Sequence, residues 1–350
     1  MNTVHVRASK TYDVLVGSGL LGTLGSYAAA MPNVKKVCIV SESNVWPLYG
    51  STAIMSIRKA GLDTVEFVFP AGEQSKTASV FLELLYFLAE NQITRTDLIV
   101  ALGGGVVGDL AGFAAATYMR GISFIQVPTT LLAAVDSSVG GKTAIDLPMG
   151  KNLVGAFYQP ALVLCDIDCL STLPVDVFRD GCAEVIKYGI LYDPELFSHL
   201  SENGMDFDRE AVVTRCVELK RNVVAEDEFD TGARMKLNLG HTIGHGAEAQ
   251  SHFGISHGKG VAIGMAIVSR AGASYGFCDT DTRDSIIRIL EKFQLPVSCP
   301  YNAESLYHSA LSDKKRMGGK VNLIVPERIG FCRIVPTPVE SLQSFIETGL

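Results

Sequence analysis

The chain is predicted to form an α/β N-terminal domain with a mainly parallel sheet, followed by a mainly α-helical C-terminal domain. Three observations carry this prediction. Short β-branched runs alternate with helical segments over the first half of the chain. A glycine-rich turn joins a strand-like run to a helix-like one, and beyond Pro174 the apolar spacing becomes helical. Alternation of the first kind implies βαβ units and a parallel sheet.

Size and composition set the frame. A chain of 350 residues is more than one small core fills, so two domains are expected, 1–174 and 175–350, with the boundary in CLSTLPVD where Pro174 interrupts the pattern. With 47% hydrophobic and 19% charged residues the chain belongs among well-packed proteins rather than disordered ones. A net charge of −7 argues against a general nucleic-acid binder. The opening MNTVHVRASK lacks the apolar core of a signal peptide. The apolar stretch 98–119 is interrupted by Asp109 and several glycines, so it reads as strand, turn and helix, not as a membrane span. Eight cysteines, at 38, 165, 169, 182, 216, 278, 299 and 332, form no CxxC pair and no zinc-finger spacing. They read as buried thiols of a reducing, cytoplasmic compartment.

In chain order, KKVCIVS (35–41), TVEFVF (64–69), DLIVALGG (97–104) and SFIQVP (123–128) read as buried strands. SVFLELLYFLAENQ (79–92) and VVGDLAGFAAATYM (106–119) have helical length and spacing. In the second half, residues 179–193, 209–228, 257–276 and 282–293 read as helices, and strands return in KVNLIVP and IGFCRIVP. There is no internal repeat.

Gly103, Gly105 and Gly108 form GxGxxG after a strand and before a helix, the pattern of a Rossmann-like nucleotide site. Glycine lets backbone approach a diphosphate, and the helix start offers free N–H groups. The competing reading is a tight strand–helix turn packed with small residues. The acid expected about 20 residues later for a ribose is missing from FIQVPTT. Acids stand earlier instead, at Glu42 in IVSESNV and at Glu73, near Lys76, in PAGEQSKT. That wiring remains compatible with NAD.

Residues 126–160 read as a long polar loop carrying Asp136, Lys142, Lys151 and Asn152, where lysines beside glycines suit a phosphate or carboxylate. An ordinary solvated loop is the alternative. In CAEVIKYGI, Glu184 and Lys187 share one helix face among apolar neighbours, and a buried carboxylate requires a cation or a metal.

Four of the seven histidines fall within NLGHTIGHGAEAQSHFGISHG, residues 238–258. His241 and His245 are four apart, hence on one helix face. HTIGH lacks the glutamate of HExxH, which rules out that zinc protease motif. His257 opens another helix, and His252 lies in an apparent loop. Two histidines with Glu184 would make an open three-ligand site. Satisfied core histidines are the alternative.

These stretches together resemble the 3-dehydroquinate synthase family of sugar phosphate cyclases. The likeness runs from YDVLVGSGLL through GGGVVGDLAGFAAATYMRGISFIQVPTTLLAAVDSSVGGKTAIDLPMGKNLVGAFYQP, AEVIKYGI, NLGHTIGH and HGKGVAIGM to DKKRMGGKVNLIVP. It implies the dehydroquinate synthase-like two-domain fold, with NAD in the first domain and metal and substrate in the second. It implies zinc, or cobalt in its place, on Glu184, His241 and His257. NAD would contact Glu42, Glu73, Lys76, Gly104, Gly105, Val106, Asp109, Thr129, Thr130, Lys142, Lys151 and Thr172. The substrate site would use Asp136, Lys142, Asn152, Lys187, Lys220, Arg234, Asn238, His245 and Lys320. Arg120 would reach the substrate phosphate of a neighbouring subunit, implying a homodimer.

The implied substrate is 3-deoxy-D-arabino-heptulosonate 7-phosphate, in the second step of the shikimate pathway. NAD oxidation of the C5 alcohol, phosphate elimination, reduction, ring opening and an intramolecular aldol would yield 3-dehydroquinate. His245 is expected to relay a proton, with phosphate hydrogen bonding as its other role. Three positions depart from the common pattern. Glu42 stands where Asp is frequent, Lys259 follows the last histidine ligand where HGE is frequent, and Cys169 replaces an aromatic near the cofactor. A 2-deoxy-scyllo-inosose synthase-like cyclase and a metal-dependent polyol dehydrogenase are the rival assignments.

Overall fold

A computed structural model describes residues 1–251, 254–312 and 319–350, and the side chains of 310–312 are left out of the description. His252 and the DKKRMG part of the last motif therefore lie outside the described residues. Two compact units result, Met1–Pro174 with Arg209–Phe229, and Val175–Asp208 with Asp230–Leu350. Among the described residues, no helix is long and apolar enough to cross a membrane.

In the first unit, strands β1 (Asn2–Val6), β2 (Tyr12–Gly17), β3 (Lys36–Glu42), β4 (Asp63–Phe69), β5 (Leu98–Gly103), β6 (Ser123–Pro128) and β9 (Leu162–Asp166) form one sheet. Its order is β1-β2-β9-β6-β5-β3-β4, and every pairing but β1 with β2 is parallel. Helices α1 (Leu24–Ala29), α2 (Trp46–Lys59), α3 (Ala78–Glu90) and α4 (Gly105–Thr117) follow strands in the chain. Parallel strands need such crossovers, and their helices bury both faces of the sheet. β3 shows the result residue by residue. Val37 and Ile39 join one core cluster with Ile57 and Leu164, while Cys38 and Val40 join another with Leu88 and Phe124. The period of two sends alternate side chains to opposite faces. Each such burial contributes about 1.5–3 kcal/mol.

The strand order also makes a crevice. From β3 the chain runs outward to β4, then returns to β5 on the other side of β3. Connections leaving the carboxyl ends of β3 and β5 thus go opposite ways, which is where open α/β sheets bind ligands. Glu42 and Gly103 end those two strands.

The sequence reading of 126–160 as a loop requires correction. The segment holds the end of β6, a single π-helical turn at Ala133–Ser137, and an antiparallel hairpin of β7 (Lys142–Leu147) and β8 (Gly150–Phe157). The amide of Asp146 donates to the Lys76 carbonyl at 2.8 Å and ties the hairpin to the segment before α3. The helix Arg209–Glu226 belongs with this unit as well. Glu210 accepts from the Asn2 amide at 3.1 Å, and Lys220 reaches Asp136.

The second unit is mainly helical, with α5 (Val175–Tyr192), α6 (Pro194–Asn203), then, after the helix just described (α7), α8 (His241–Gln250), α9 (His257–Ser274), α10 (Thr280–Lys292), α11 (Ala303–Ser312) and α12 (Val339–Gly349). Strands β10 (Lys320–Arg328) and β11 (Phe331–Pro338) pair as a hairpin. Asp193 and Asp279 cap α6 and α10 by accepting amide hydrogen bonds in their first turns. α9 is buried almost all round, as expected of a central helix. It packs backbone to backbone on α8, because a Cβ at Gly264 would come within 1.9 Å of the Gly240 carbonyl oxygen. Its first turn meets α5 as closely, since a Cβ at Gly258 would lie 2.0 Å from the Asp180 carbonyl oxygen. Those two contacts bring the starts of α8 and α9 together with the middle of α5.

Candidate active site

Three donor atoms converge in the second unit. Glu184, fully buried on α5, places Oε1 3.5 Å from Nε2 of both His241 and His257. Two metal bonds of about 2.0–2.1 Å at a tetrahedral angle span about 3.4 Å, so the spacing suits a single ion better than direct hydrogen bonds. The far ring nitrogens are also committed. Nδ1 of His241 donates to the Leu239 carbonyl at 3.0 Å, and Nδ1 of His257 meets Glu248 Oε1 at 3.1 Å. A carbonyl and a carboxylate only accept, so each Nδ1 carries a proton, and with an ion bound each ring would be neutral and offer its Nε2 lone pair inward. The donor set fits a divalent ion such as zinc.

Without an ion, charge crowds this site. Burial works against the His257 imidazolium, but the adjacent carboxylates of Glu184 and Glu248 outweigh that and push its pKa up to about 10. Metal uptake would therefore release a proton. Lys187, one turn along α5 and equally buried, pairs with the other carboxylate oxygen of Glu184 and lies 5.6 Å from the Tyr188 ring centre. His245 stands half-buried, its ring centre 5.5 Å from that of His241 and 5.9 Å from that of His257. Arg234, buried, and Asn238 sit in the short helical turn just ahead of His241, with the Asn238 amide donating to the Met235 carbonyl at 3.1 Å. Lys320 is exposed at the first residue of β10.

A separate polar network lies in the first unit. The buried Lys76 ammonium meets Asp109 at 2.6 Å, donates to Asn152 Oδ1 at 2.5 Å and lies 3.9 Å from Glu73. Burial alone would lower its pKa, yet Asp109 and then Glu73 more than compensate and hold it charged. Lys151 approaches Glu73 at 3.6 Å. Asp136 and Lys220 form a second pair at 2.6 Å, reinforced by the Asp136 carbonyl. Lys142 is exposed at the start of β7.

The glycine turn divides its labour. Side chains at 103 and 108 would collide with Val107 and Gln126, so Gly103 and Gly108 serve close packing. Gly104 and Gly105 instead front the first turn of α4, facing Thr130 and Ser137, and Val106 follows them. The hydroxyl of Thr129 is buried without a hydrogen-bond partner among the described residues. Free N–H groups of a 13-residue helix behind a glycine step suit a diphosphate.

Other expected residues are engaged locally. The Glu42 carboxylate accepts the amides of Asn44 at 2.7 Å and Val45 at 3.1 Å. Thr172 shares a 2.5 Å hydrogen bond with Tyr49, whose hydroxyl also donates to the carbonyl of buried Cys169. Arg120 is exposed in a turn where both Met119 and Arg120 have positive φ, 49° and 66°. Lys259 donates its backbone N–H to Asp180 at 3.0 Å.

Four participants were not legible as such in the sequence: Glu248, Asp180, Asp146 and Tyr49. Glu248 stands inside the histidine-rich stretch, three residues after His245, and only its burial marks it as more than a surface charge.

Comparison with known proteins gives this geometry a family. The description "3-dehydroquinate synthase N-terminal" matches residues 66–180, and "3-dehydroquinate synthase C-terminal" matches 181–316. A 3-dehydroquinate synthase of Enterococcus faecalis (strain ATCC 700802 / V583) is 44% identical over 342 residues, covering 96% of each chain. The chain belongs to the 3-dehydroquinate synthase family. Among solved structures, a 2-deoxy-scyllo-inosose synthase complexed with carbaglucose-6-phosphate, NAD+ and Co2+ covers both chains fully, with a TM-score of 0.90 and 26% identity. A 2-epi-5-epi-valiolone synthase from Streptomyces hygroscopicus subsp. jinggangensis 5008, with NAD+ and Zn2+ bound, matches at a TM-score of 0.88 and 24% identity, a likeness of fold alone. For this 3-dehydroquinate synthase family member, the expected α/β and helical architecture and the expected family are both borne out.

Proposed function

We propose that this chain converts 3-deoxy-D-arabino-heptulosonate 7-phosphate to 3-dehydroquinate and phosphate, using NAD and a divalent metal ion. The observation that carries the reading is the convergence of Glu184 Oε1 with the Nε2 atoms of His241 and His257, in a chain 44% identical to a 3-dehydroquinate synthase over nearly its full length. When bound, the ion supplies Lewis acidity at a substrate oxygen. NAD, when bound, supplies a hydride acceptor that is restored within each turnover.

The protein's own residues provide the rest. The α4 start at Gly104, Gly105 and Val106 receives the cofactor diphosphate, and Lys76, Asp109, Glu73, Thr129, Thr130, Lys151, Glu42 and Thr172 line its expected surroundings in the first unit. In the second unit, Lys187, Arg234, Asn238 and Lys320 offer polar and cationic groups suited to a substrate bearing carboxylate and phosphate, and in the first unit Asp136, Lys142, Asn152 and Lys220 offer groups of the same kind. His245 shares the α8 face of His241, which supports its reading as the group that takes and returns a proton at a substrate hydroxyl. With NAD bound, the C5 alcohol would be oxidised and later re-reduced by the same cofactor, and phosphate would depart as the carbon next to the transient C5 ketone loses its proton. Ring opening and an aldol closure then complete a redox-neutral conversion.

By the family resemblance, Arg120 would serve the site of a neighbouring subunit in a homodimer. Two successive non-glycine residues with positive φ are costly, at about 1–3 kcal/mol each, and such turns persist mostly where function holds them. All eight cysteines are free thiols, six of them buried, which supports a reducing, cytoplasmic location.

The test follows product identity by NMR. With NAD and zinc, the heptulosonate phosphate yields 3-dehydroquinate, chelation stops it, and zinc or cobalt restores it. Turnover of glucose 6-phosphate in place of the heptulosonate phosphate would instead assign the chain to the inosose synthase type.

A further inference from the structure

Glu248 has no place in the ligand set, yet it lies where an ordinary carboxylate would not. It is 2% exposed on α8, and burying a carboxylate is costly unless a specific partner compensates. Its Oε1 sits 3.1 Å from Nδ1 of His257, on the ring edge opposite the Nε2 that faces Glu184. The neighbouring helix makes room for this contact. A Cβ at Gly260 would lie 3.0 Å from Cγ and 3.2 Å from Oε1 of Glu248, so glycine keeps the slot open.

The two histidines are thereby held differently. His241 donates Nδ1–H to a neutral backbone carbonyl, whereas His257 donates its Nδ1–H to a carboxylate. A carboxylate acceptor fixes the tautomer and makes the imidazole a stronger donor at the other nitrogen. Glu248 could also be counted with His245 and His257 as a second group of ligands, whose atoms lie within 4.8 Å of one another. Glu248 Oε1 is already engaged with His257 Nδ1, which argues against that grouping.

We propose that Glu248 is a positioning residue that orients His257 and raises its strength as a metal donor, without binding the ion. The proposal rests on the metal site of the preceding section. Its test is Co2+ titration of the full-length, metal-stripped protein, followed by visible absorption and by 15N-histidine NMR of the His257 ring. Wild type, Glu248→Gln and Glu248→Leu are compared, with thermal unfolding of each metal-free protein as a control for folding. Wild type is expected to bind one ion. Glu248→Gln keeps an acceptor for Nδ1–H but loses the charge, and should bind roughly 10-fold more weakly at unchanged stoichiometry. Glu248→Leu should lose roughly 100-fold, with an altered cobalt spectrum and a mixed His257 tautomer. If the leucine variant does not fold, the glutamine variant decides the matter alone. Unchanged affinity in a folded variant would overturn the proposal while leaving the metal site intact. Two ions in wild type, one of them lost with Glu248, would also overturn it by making Glu248 a ligand. No uptake by wild type would remove the metal site and the proposal together.

Discussion

Glu184 and Asp97 show how differently two buried carboxylates can be used. Glu184 faces two imidazole nitrogens and a lysine, an arrangement suited to an ion. Asp97 accepts four hydrogen bonds, from the amides of Lys35, Lys36 and Thr94 and the Thr94 hydroxyl, an arrangement held for a turn. Burial would raise the Asp97 pKa, but the Thr94 and lysine-amide bonds together lower it below the ordinary carboxylate range. A carboxyl group lowered on folding contributes stability above its unfolded pKa of about 3.9 and loses it as pH falls through the folded value. Asp97→Asn should therefore unfold about 1–3 kcal/mol more easily at neutral pH, and should lose less further stability than wild type in acid. Urea titrations at pH 7 and pH 3 check both statements. For Glu184→Gln, a cobalt titration should show roughly 100-fold or greater loss of affinity, since a first ligand is removed rather than an outer partner.

At the scale of elements, the proposed metal site depends on how closely helices approach. Gly264 lets α9 lie on α8 at Gly240, and Asp180 on α5 accepts hydrogen bonds from Ser256 and from the Lys259 amide at the start of α9. A methyl at 264 meets backbone, which cannot rotate away. Gly264→Ala should cost about 1–3 kcal/mol in thermal unfolding and weaken metal binding as His241 and His257 move apart. Wild-type metal affinity in that variant would show that the close packing is not what sets the site.

Elements also show where the sequence was readable. β5 and the glycine turn were plain, because a strand buried on both faces is a continuous apolar run, and β3 alternates between two core clusters. The β7–β8 hairpin was hidden by its Ser-, Thr- and Gly-rich flanks, although KTAIDL carries a strand pattern. The GxGxxG spacing was visible, but only neighbouring side chains reveal that Gly103 and Gly108 pack while Gly104 and Gly105 open the helix start. Glu184, His241 and His257 could be proposed from spacing and resemblance. Glu248 could not, since its role depends on depth and on the empty slot at Gly260.

For the whole molecule, the proposed dimer and the proposed chemistry make separate demands. If Arg120 serves its neighbour's site, mixing inactive Arg120→Ala and His257→Ala proteins under exchange conditions should rebuild one intact site per heterodimer. Activity would then return to about a quarter of wild type, because half of the dimers are mixed and half of their sites are whole. No recovery in proven heterodimers would place Arg120 in its own subunit's site. The central claim is a redox cycle closed within one enzyme. It is tested most directly by measuring phosphate release from 3-deoxy-D-arabino-heptulosonate 7-phosphate, with NAD and zinc, while absorbance at the NADH band is followed. Phosphate accumulating over many turnovers with no net NADH is the predicted result. NADH rising in step with substrate consumption, or no phosphate from folded and metal-loaded protein, would contradict it.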